Sequence, residues 1–286
     1  MFKTVILGCE NSHANGFLSA IKNDPVFSSI EVIGVYSDEK DRAQALADEF
    51  GVKIMESYDE ACGMVDGVIV TARHGDNHLK YAEPYIKSGV PFFIDKPFTI
   101  DPKEGEKLCA LLAESGCKFV GGSSLKHVKE IKEMKKDRLD GKGKKTIGGF
   151  LRAPIDLASP YGGFYFYAQH LVEMLIEVFG EDVKKVCAVR SQVGITINFR
   201  YDDFDVCALF AEKNYVYYAV RHTEESSLGG EFPLGDECFK LELYDFLKLL
   251  TKESEGENAY RMMKPVYIMN AIIESLDNCG KESEVK

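Results

Sequence analysis

The chain has 286 residues, 45% hydrophobic and 28% charged, which is the composition of a globular protein with apolar mass for one large domain or two modest ones. Its 35 basic and 46 acidic residues leave a formal charge of -11, which argues against nucleic acid or an anionic membrane as partner, because phosphate-rich surfaces are held by a basic surplus. The eight cysteines, at 9, 62, 109, 117, 187, 207, 238 and 279, form no CxxC pair, so neither a disulfide-stapled mini-fold nor a metal site is expected.

The opening "MFKTVILG" has no basic segment followed by a long apolar one, and no apolar run approaches the roughly 18 residues of a membrane span. A cytoplasmic protein without a membrane partner is the expectation. Over residues 1–122, "TVILG", "IEVIGVYS", "DGVIVTA", "PFFIDKP" and "CKFVGG" are almost wholly apolar runs of strand length. Between them lie "SHANGFLSAIKND", "EKDRAQALADEFG", "DNHLKYAEPYIKSG" and "DPKEGEKLCALLAESG", each long enough for a helix and several closed by glycine. Strict alternation of this kind builds βαβ units, so the fold class is α/β with a doubly wound parallel sheet.

From residue 123 the pattern changes. A basic, polar helix runs to the exposed turn "DGKGKK", then come a strand in "TIGGFLRAPIDL", helical spacing in "SPYGGFYFYAQHLVEMLIEVFG", and successive strands "VKKVCAVRS", "GITINFRY", "DVCALFAE" and "NYVYYAVRH". Strands that follow one another across short turns predict a mostly antiparallel sheet in a second, α+β domain over residues 123–286. The stretch "LGGEFPLGDE" reads as turns, and two helices, in "CFKLELYDFLKLL" and "AYRMMKPVYIMNAIIESL", close the chain. The lysine-rich helix after residue 123 has glutamates at helical spacing and reads as a solvated face rather than an anion site.

Gly8 ends the first strand, where a βα turn presents backbone N–H groups and a helix N-terminus to an anion. The GxGxxG fingerprint would put further glycines where Glu10 and His13 stand, and a carboxylate beside a pyrophosphate is repulsive. The other reading of "ENS" is a simple turn, with Asn11 or Ser12 capping the helix. At the end of the second strand Ser37 occupies the position of the acid that receives the adenosine ribose, Asp38 follows, and Arg42 is a turn on. The same "SDEKD" suits a helix N-terminus, so NAD and NADP both remain open.

The stretch "VIVTARHGDNHLKYAEPYIKSGVPFFIDKPF" resembles the glucose-fructose oxidoreductase and inositol dehydrogenase family (Gfo/Idh/MocA). That family has a strand ending in Thr-Pro, a histidine a few residues on, a small-residue helix and then Glu-Lys-Pro. Here Thr71, Ala72 in place of proline, His78, Ala82, Gly89 and Asp95-Lys96-Pro97 fall at that spacing, with Asp95 in place of glutamate. The likeness continues in weaker form along nearly the whole chain. It implies an NAD- or NADP-dependent oxidoreductase acting on a sugar, cyclitol or related polyol. The implied cofactor contacts are Gly8, Glu10, Asn11, Ser12, Ser37, Asp38, Arg42, Thr71, Ala72, Arg73, His78, Asp95, Lys96 and Pro97. Lys96 is implied near the reacting carbon, where an ammonium at the C-terminal edge of a parallel sheet polarises a substrate oxygen.

In the family a glycine-rich entry leads to a helix bearing Asp and His four residues apart. Gly162, Gly163 and His170 match, but Phe166 takes the aspartate position, which leaves His170 as the candidate base without its carboxylate. Tyr167 and Glu173 are candidate substitutes. Arg152, Tyr161 and Tyr167 are further substrate candidates beside ion-pair and core roles. The strands from about residue 183 to 223 are apolar on both parities, so a homodimer or homotetramer through that sheet is expected. Two alternatives stand beside the dehydrogenase: a noncatalytic binding or scaffold protein, and a relative that uses nicotinamide as a redox relay in elimination or glycoside cleavage.

Overall fold

The computed structural model describes residues 1–140, 144–235 and 237–286. The turn expected over "DGKGKK" falls largely on residues 141–143, outside the described residues. The chain forms two compact units, Met1–Gly122 with Asp236–Met263, and Ser123–Gly235 with Lys264–Lys286. A single division at residue 122 misses the return of 236–263 to the first unit.

The first unit alternates β1 (Phe2–Leu7), α1 (Ser12–Asn23), β2 (Ile30–Tyr36), α2 (Lys40–Phe50), β3 (Gly67–Val70), α3 (Asp76–Ile86), β4 (Phe92–Asp95), α4 (Pro102–Ser115) and β5 (Phe119–Gly122). The strands form one parallel sheet in the order β2-β1-β3-β4-β5. β3, β4 and β5 are buried at every position, as strands covered on both faces must be. β1 is flanked by β2 on one side and β3 on the other, so the strand order reverses beside it, and the crevice at such a switch point is where open α/β sheets bind ligands.

Downstream come α5 (Lys129–Leu139), β6 (Thr146–Ile155), α6 (Tyr165–Phe179), β7 (Lys185–Ser191), β8 (Gly194–Arg200), β9 (Asp205–Glu212), β10 (Tyr217–Thr223), β11 (Ser227–Phe232), α7 (Glu237–Leu250), α8 (Ala259–Asp277) and β12 (Ser283–Glu284). α7 belongs to the first unit. Its Leu243, Phe246, Leu247 and Leu250 share a core with Ile6 of β1, Phe17 of α1, Ile69 of β3 and Phe93 of β4.

The second unit holds a seven-stranded sheet, β11-β10-β6-β9-β8-β7-β12, antiparallel except for the parallel β6–β9 pair. α6 covers the face on which Gly149, Leu151 and Ala153 lie; a Cβ on Gly149 would come within 2.2 Å of the Phe179 ring. β11 is a strand where turns are predicted. Its glycines allow a close approach of backbones rather than a reversal: a Cβ on Gly229, at φ +125°, would sit 2.0 Å from the Ala219 carbonyl of β10. The predicted basic helix is also broken, into a 3-10 turn at Ser124–His127 and α5. Its face is not wholly solvated, since Lys135 pairs with Glu177 at 2.6 Å and Arg138 donates to the carbonyls of Glu177 and Val178 at the end of α6. Cations at a helix C-terminus satisfy its last carbonyls. Among the described residues no helix is long and apolar enough to cross a membrane.

Candidate functional site

The loops at the C-terminal ends of β1, β2, β3 and β4 converge. Gly8 adopts φ +78°, and its N–H donates to the Tyr36 carbonyl at 2.8 Å. A Cβ there would lie 2.4 Å from both Cα and N of Ala72. Thr71, fully buried, donates its hydroxyl to the Gly8 carbonyl at 3.1 Å. Gly8 is therefore required by the packing of the β1–α1 turn on the β3–α3 loop as well as by its backbone angle.

The Glu10 carboxylate does not project over the start of α1. One oxygen accepts the Ser37 hydroxyl at 2.7 Å and the other accepts the Arg73 N–H at 3.0 Å, so the side chain ties the β1–α1 turn to the end of β2 and to the β3–α3 loop. Asn11 caps α1, its side-chain oxygen accepting the His13 N–H, and the first turn of α1 carries no acidic residue. Ser12 is exposed and donates to Asn11. The N-terminus of α1 keeps its positive end, as a pyrophosphate requires.

His13, at the third glycine position, is buried. Its Nδ1 lies 2.8 Å from an Asp95 oxygen, which also accepts from Asn11 Nδ2 at 3.0 Å, and Phe239 of α7 meets the ring edge-on at 4.7 Å. Glu242, one turn further along α7, comes within 4.0 Å of the same nitrogen. The imidazole thus fills space between the turn, β4 and α7, and α7 is what makes a side chain tolerable there. Nothing in the local sequence pointed to α7.

Asp95 is fully buried and its second oxygen accepts the Lys96 N–H at 2.7 Å. The Lys96–Pro97 bond is cis. Lys96 is only 4% exposed, and burial pushes its ammonium below the ordinary lysine value, Arg73 adding to the shift while the Asp95 and Glu242 carboxylates oppose it. Next to this turn, His78 has Nδ1 3.2 Å from the Phe98 carbonyl and Nε2 2.9 Å from that of Ala72, and is fully buried. Burial also lowers its pKa, and a neutral ring packed between these two carbonyls donates to only one of them. His78 therefore positions Ala72 and the Lys96–Pro97 turn rather than presenting itself to a ligand.

At the β2 end, Ser37 is buried and its hydroxyl also accepts the Glu39 N–H. Asp38 turns to Tyr36 and Tyr81, whose hydroxyls donate at 2.6 and 3.0 Å, and to Lys80 at 3.3 Å. The Tyr36 hydroxyl first, then Tyr81 and Lys80, hold this carboxyl below the usual range. Arg42 has a side chain 59% exposed and stands 4.0 Å from Glu39.

In the second unit His170 is buried on α6, and its Nδ1 shares a 2.7 Å hydrogen bond with Ser123 Oγ, which also accepts the Leu125 N–H. Ser123 is thus one residue that orients His170. Of the predicted substitutes for the aspartate, Tyr167 meets the His170 ring at 6.0 Å, whereas Glu173 accepts a hydrogen bond from Gln169. Phe166 packs against Tyr161 at 5.5 Å and Tyr167 at 4.9 Å, so the aspartate position has become apolar. Arg152 is not brought together with His170: strand alternation puts it on the sheet face opposite α6, across from Tyr218.

With this geometry in view, residues 2–123 match the family model described as an oxidoreductase family with an NAD-binding Rossmann fold. The likeness to the Gfo/Idh/MocA oxidoreductases is thus carried by residues 2–123. A curated relative, UDP-N-acetylglucosamine 3-dehydrogenase of Acidithiobacillus ferrooxidans, is 33% identical over 85 residues, covering 29% of this chain and 26% of that protein. The match thus spans about a quarter of the relative's length. Among solved structures, a putative myo-inositol dehydrogenase from Sinorhizobium meliloti aligns over 100% of both chains with TM-score 0.86 and 14% identity. A scyllo-inositol dehydrogenase from Lactobacillus casei, solved with NAD(H) and scyllo-inositol, aligns over 100% of this chain and 99% of its own, with TM-score 0.86 and 15% identity. At such identities the likeness to the inositol dehydrogenases is one of fold.

Proposed function

We propose that this protein is a nicotinamide-dependent oxidoreductase that moves a hydride between NAD or NADP and a CH–OH carbon of a sugar, cyclitol or related polyol. The observation that carries the reading is Lys96, a buried lysine directly after β4, beside Asp95, in a domain that matches an NAD-binding oxidoreductase family. The substrate class follows the relatives, a nucleotide-sugar dehydrogenase and two inositol dehydrogenases.

The turn at Gly8 and the acid-free start of α1 suit the cofactor's pyrophosphate, while the Glu10–Ser37 pair suits the adenosine side. When bound, nicotinamide supplies the hydride acceptor or donor. Lys96 holds the substrate oxygen and stabilises the negative charge that develops on it as the hydroxyl proton leaves. His170, whose Nδ1 lies 2.7 Å from Ser123 Oγ, is the side chain assigned as general base. Tyr161 and Tyr167 are the remaining candidates for substrate contact, and Arg152 is not retained. The eight free cysteines support a reducing, cytoplasmic setting.

A noncatalytic reading is favoured by one observation, the aromatic packing of Phe166 where the family has an acid. One titration separates the two. Purified protein should quench or enhance reduced-nicotinamide fluorescence saturably, with Kd below about 1 mM; no binding of either NADH or NADPH supports the noncatalytic reading. Substrate screening then follows NADH formation, and a product at the substrate's own oxidation level identifies a redox relay instead.

A second copy is proposed to cover the outer face of the seven-stranded sheet, where Phe150 and Tyr218 meet at 6.0 Å away from α6, giving a homodimer or homotetramer. Light scattering at micromolar concentration should return a multiple of 32.0 kDa, and a monomer mass overturns it.

A further inference from the structure

We propose that Glu10, reaching across from the β1–α1 turn, is the carboxylate that receives the adenosine ribose hydroxyls and makes the site select NAD over NADP. The inference deepens the proposed function and rests on its nicotinamide reading.

A Rossmann site that takes NAD normally has an acid at the end of β2 to accept the ribose 2′-hydroxyl, whereas one that takes NADP has a small residue there with an arginine nearby. By residue type alone, Ser37 with Arg42 belongs to the second pattern. The structure reverses this. The Ser37 hydroxyl is already committed to a Glu10 oxygen at 2.7 Å, so the space a small residue leaves at the β2 end holds a carboxylate delivered from another loop. Arg42 is solvated beside Glu39, with its side chain 59% exposed.

Asp38, the acid directly after Ser37, is differently employed. Its carboxylate is bound by the hydroxyls of Tyr36, at the end of β2, and Tyr81, on α3, and by Lys80 of α3. Glu10 is buried apart from 8% of its surface. A carboxylate offers about four acceptor positions, and the Ser37 hydroxyl and Arg73 N–H account for two. The remaining lone pairs suit a ribose diol, which donates two O–H groups. A 2′-phosphate brings acceptors and roughly 1.5 to 2 negative charges to the same carboxylate and is repelled.

The arrangement also accounts for an acid at the second glycine position. A side chain directed along the α1 axis would face the pyrophosphate, but two hydrogen bonds hold this one sideways, toward β2 and the β3–α3 loop. Ser37 and Glu10 thus act as one composite group, the hydroxyl fixing the carboxylate that the strand end lacks.

The test is a pair of fluorescence titrations with NADH and NADPH on the parent, Glu10→Gln and Asp38→Asn. The parent should bind NADH at least about 10-fold tighter than NADPH, and Glu10→Gln, which keeps the shape and removes the charge, should bring the two within about threefold of one another. Asp38→Asn should leave the parent's ratio within about twofold. The parent's ratio alone tests the assignment should Glu10→Gln not fold. Equal binding of both cofactors by the parent, or a ratio that collapses with Asp38→Asn and not with Glu10→Gln, overturns the assignment while leaving the nicotinamide reading intact. Failure of the parent to bind either one removes both.

Discussion

Replacing Lys96 by methionine is expected to lower kcat by roughly 100-fold or more while changing NADH affinity by less than about threefold. The ammonium is buried directly after β4, so its interaction with an oxygen that gains negative charge during hydride transfer is not diluted by water. A contact that strengthens as the charge develops is read in the rate, not in ground-state binding. Methionine keeps much of the side-chain volume, so packing around the β4 turn is retained. The pH profile adds a second signature. Burial lowers the pKa of Lys96, and the proposed role requires the protonated form, so the rate should be full at lower pH and fall as pH rises through that depressed value. This alkaline limb should begin below the ordinary lysine value of about 10.4 and be missing from the residual activity of the methionine variant. His170→Asn in the same assay should flatten the acid limb, where protonation of the imidazole removes the base. Full turnover by both variants, once a substrate is in hand, sinks the assigned chemistry.

The second large effect belongs to Gly8. Gly8→Ala should reduce the unfolding free energy by about 2–4 kcal/mol, the sum of about 1 kcal/mol for a left-handed L-residue and about 1–3 kcal/mol for overpacking. The added methyl would stand 2.4 Å from backbone atoms of Ala72, which cannot rotate away as the end of a side chain can. Gly51 offers an internal control. It closes α2 at φ +72°, and a Cβ there meets nothing within 4 Å, so Gly51→Ala should cost only the conformational part. Urea denaturation of the two variants measures the difference directly. Equal losses would mean that the β1–α1 turn and the β3–α3 loop give way freely, and the cofactor crevice is softer than its packing implies. Where the Ala variant folds, the displaced turn should also weaken NADH binding.

The sheet that carries these residues was legible because its strands are buried on both faces and announce themselves as unbroken apolar runs. The glycine-containing strand β11 was not, since glycines chosen for backbone proximity to β10 resemble glycines chosen for turning. The same limit applies at the site. Lys96 and Gly8 could be picked out from a spaced pattern. Ser123 could not be assigned to His170, because the two are 47 positions apart and meet only through the fold.

By itself, the sequence determined the alternation of strand and helix, the parallel sheet, and the chemical types standing at the strand ends: a glycine after β1, a serine after β2, a lysine after β4. Those properties are local, set by periodicity, side-chain shape and backbone freedom. Tertiary structure decided what each polar side chain does. Glu10 looked like a charge misplaced beside a phosphate, yet Ser37 and Arg73, 27 and 63 positions away, turn it to the β2 end. His13 looked like a lost glycine, yet Asp95 and a helix returning from residue 237 enclose it. A carboxylate or imidazole has several rotamers and an energy dominated by whichever partner desolvates and hydrogen-bonds it, and that partner arrives only when distant segments pack.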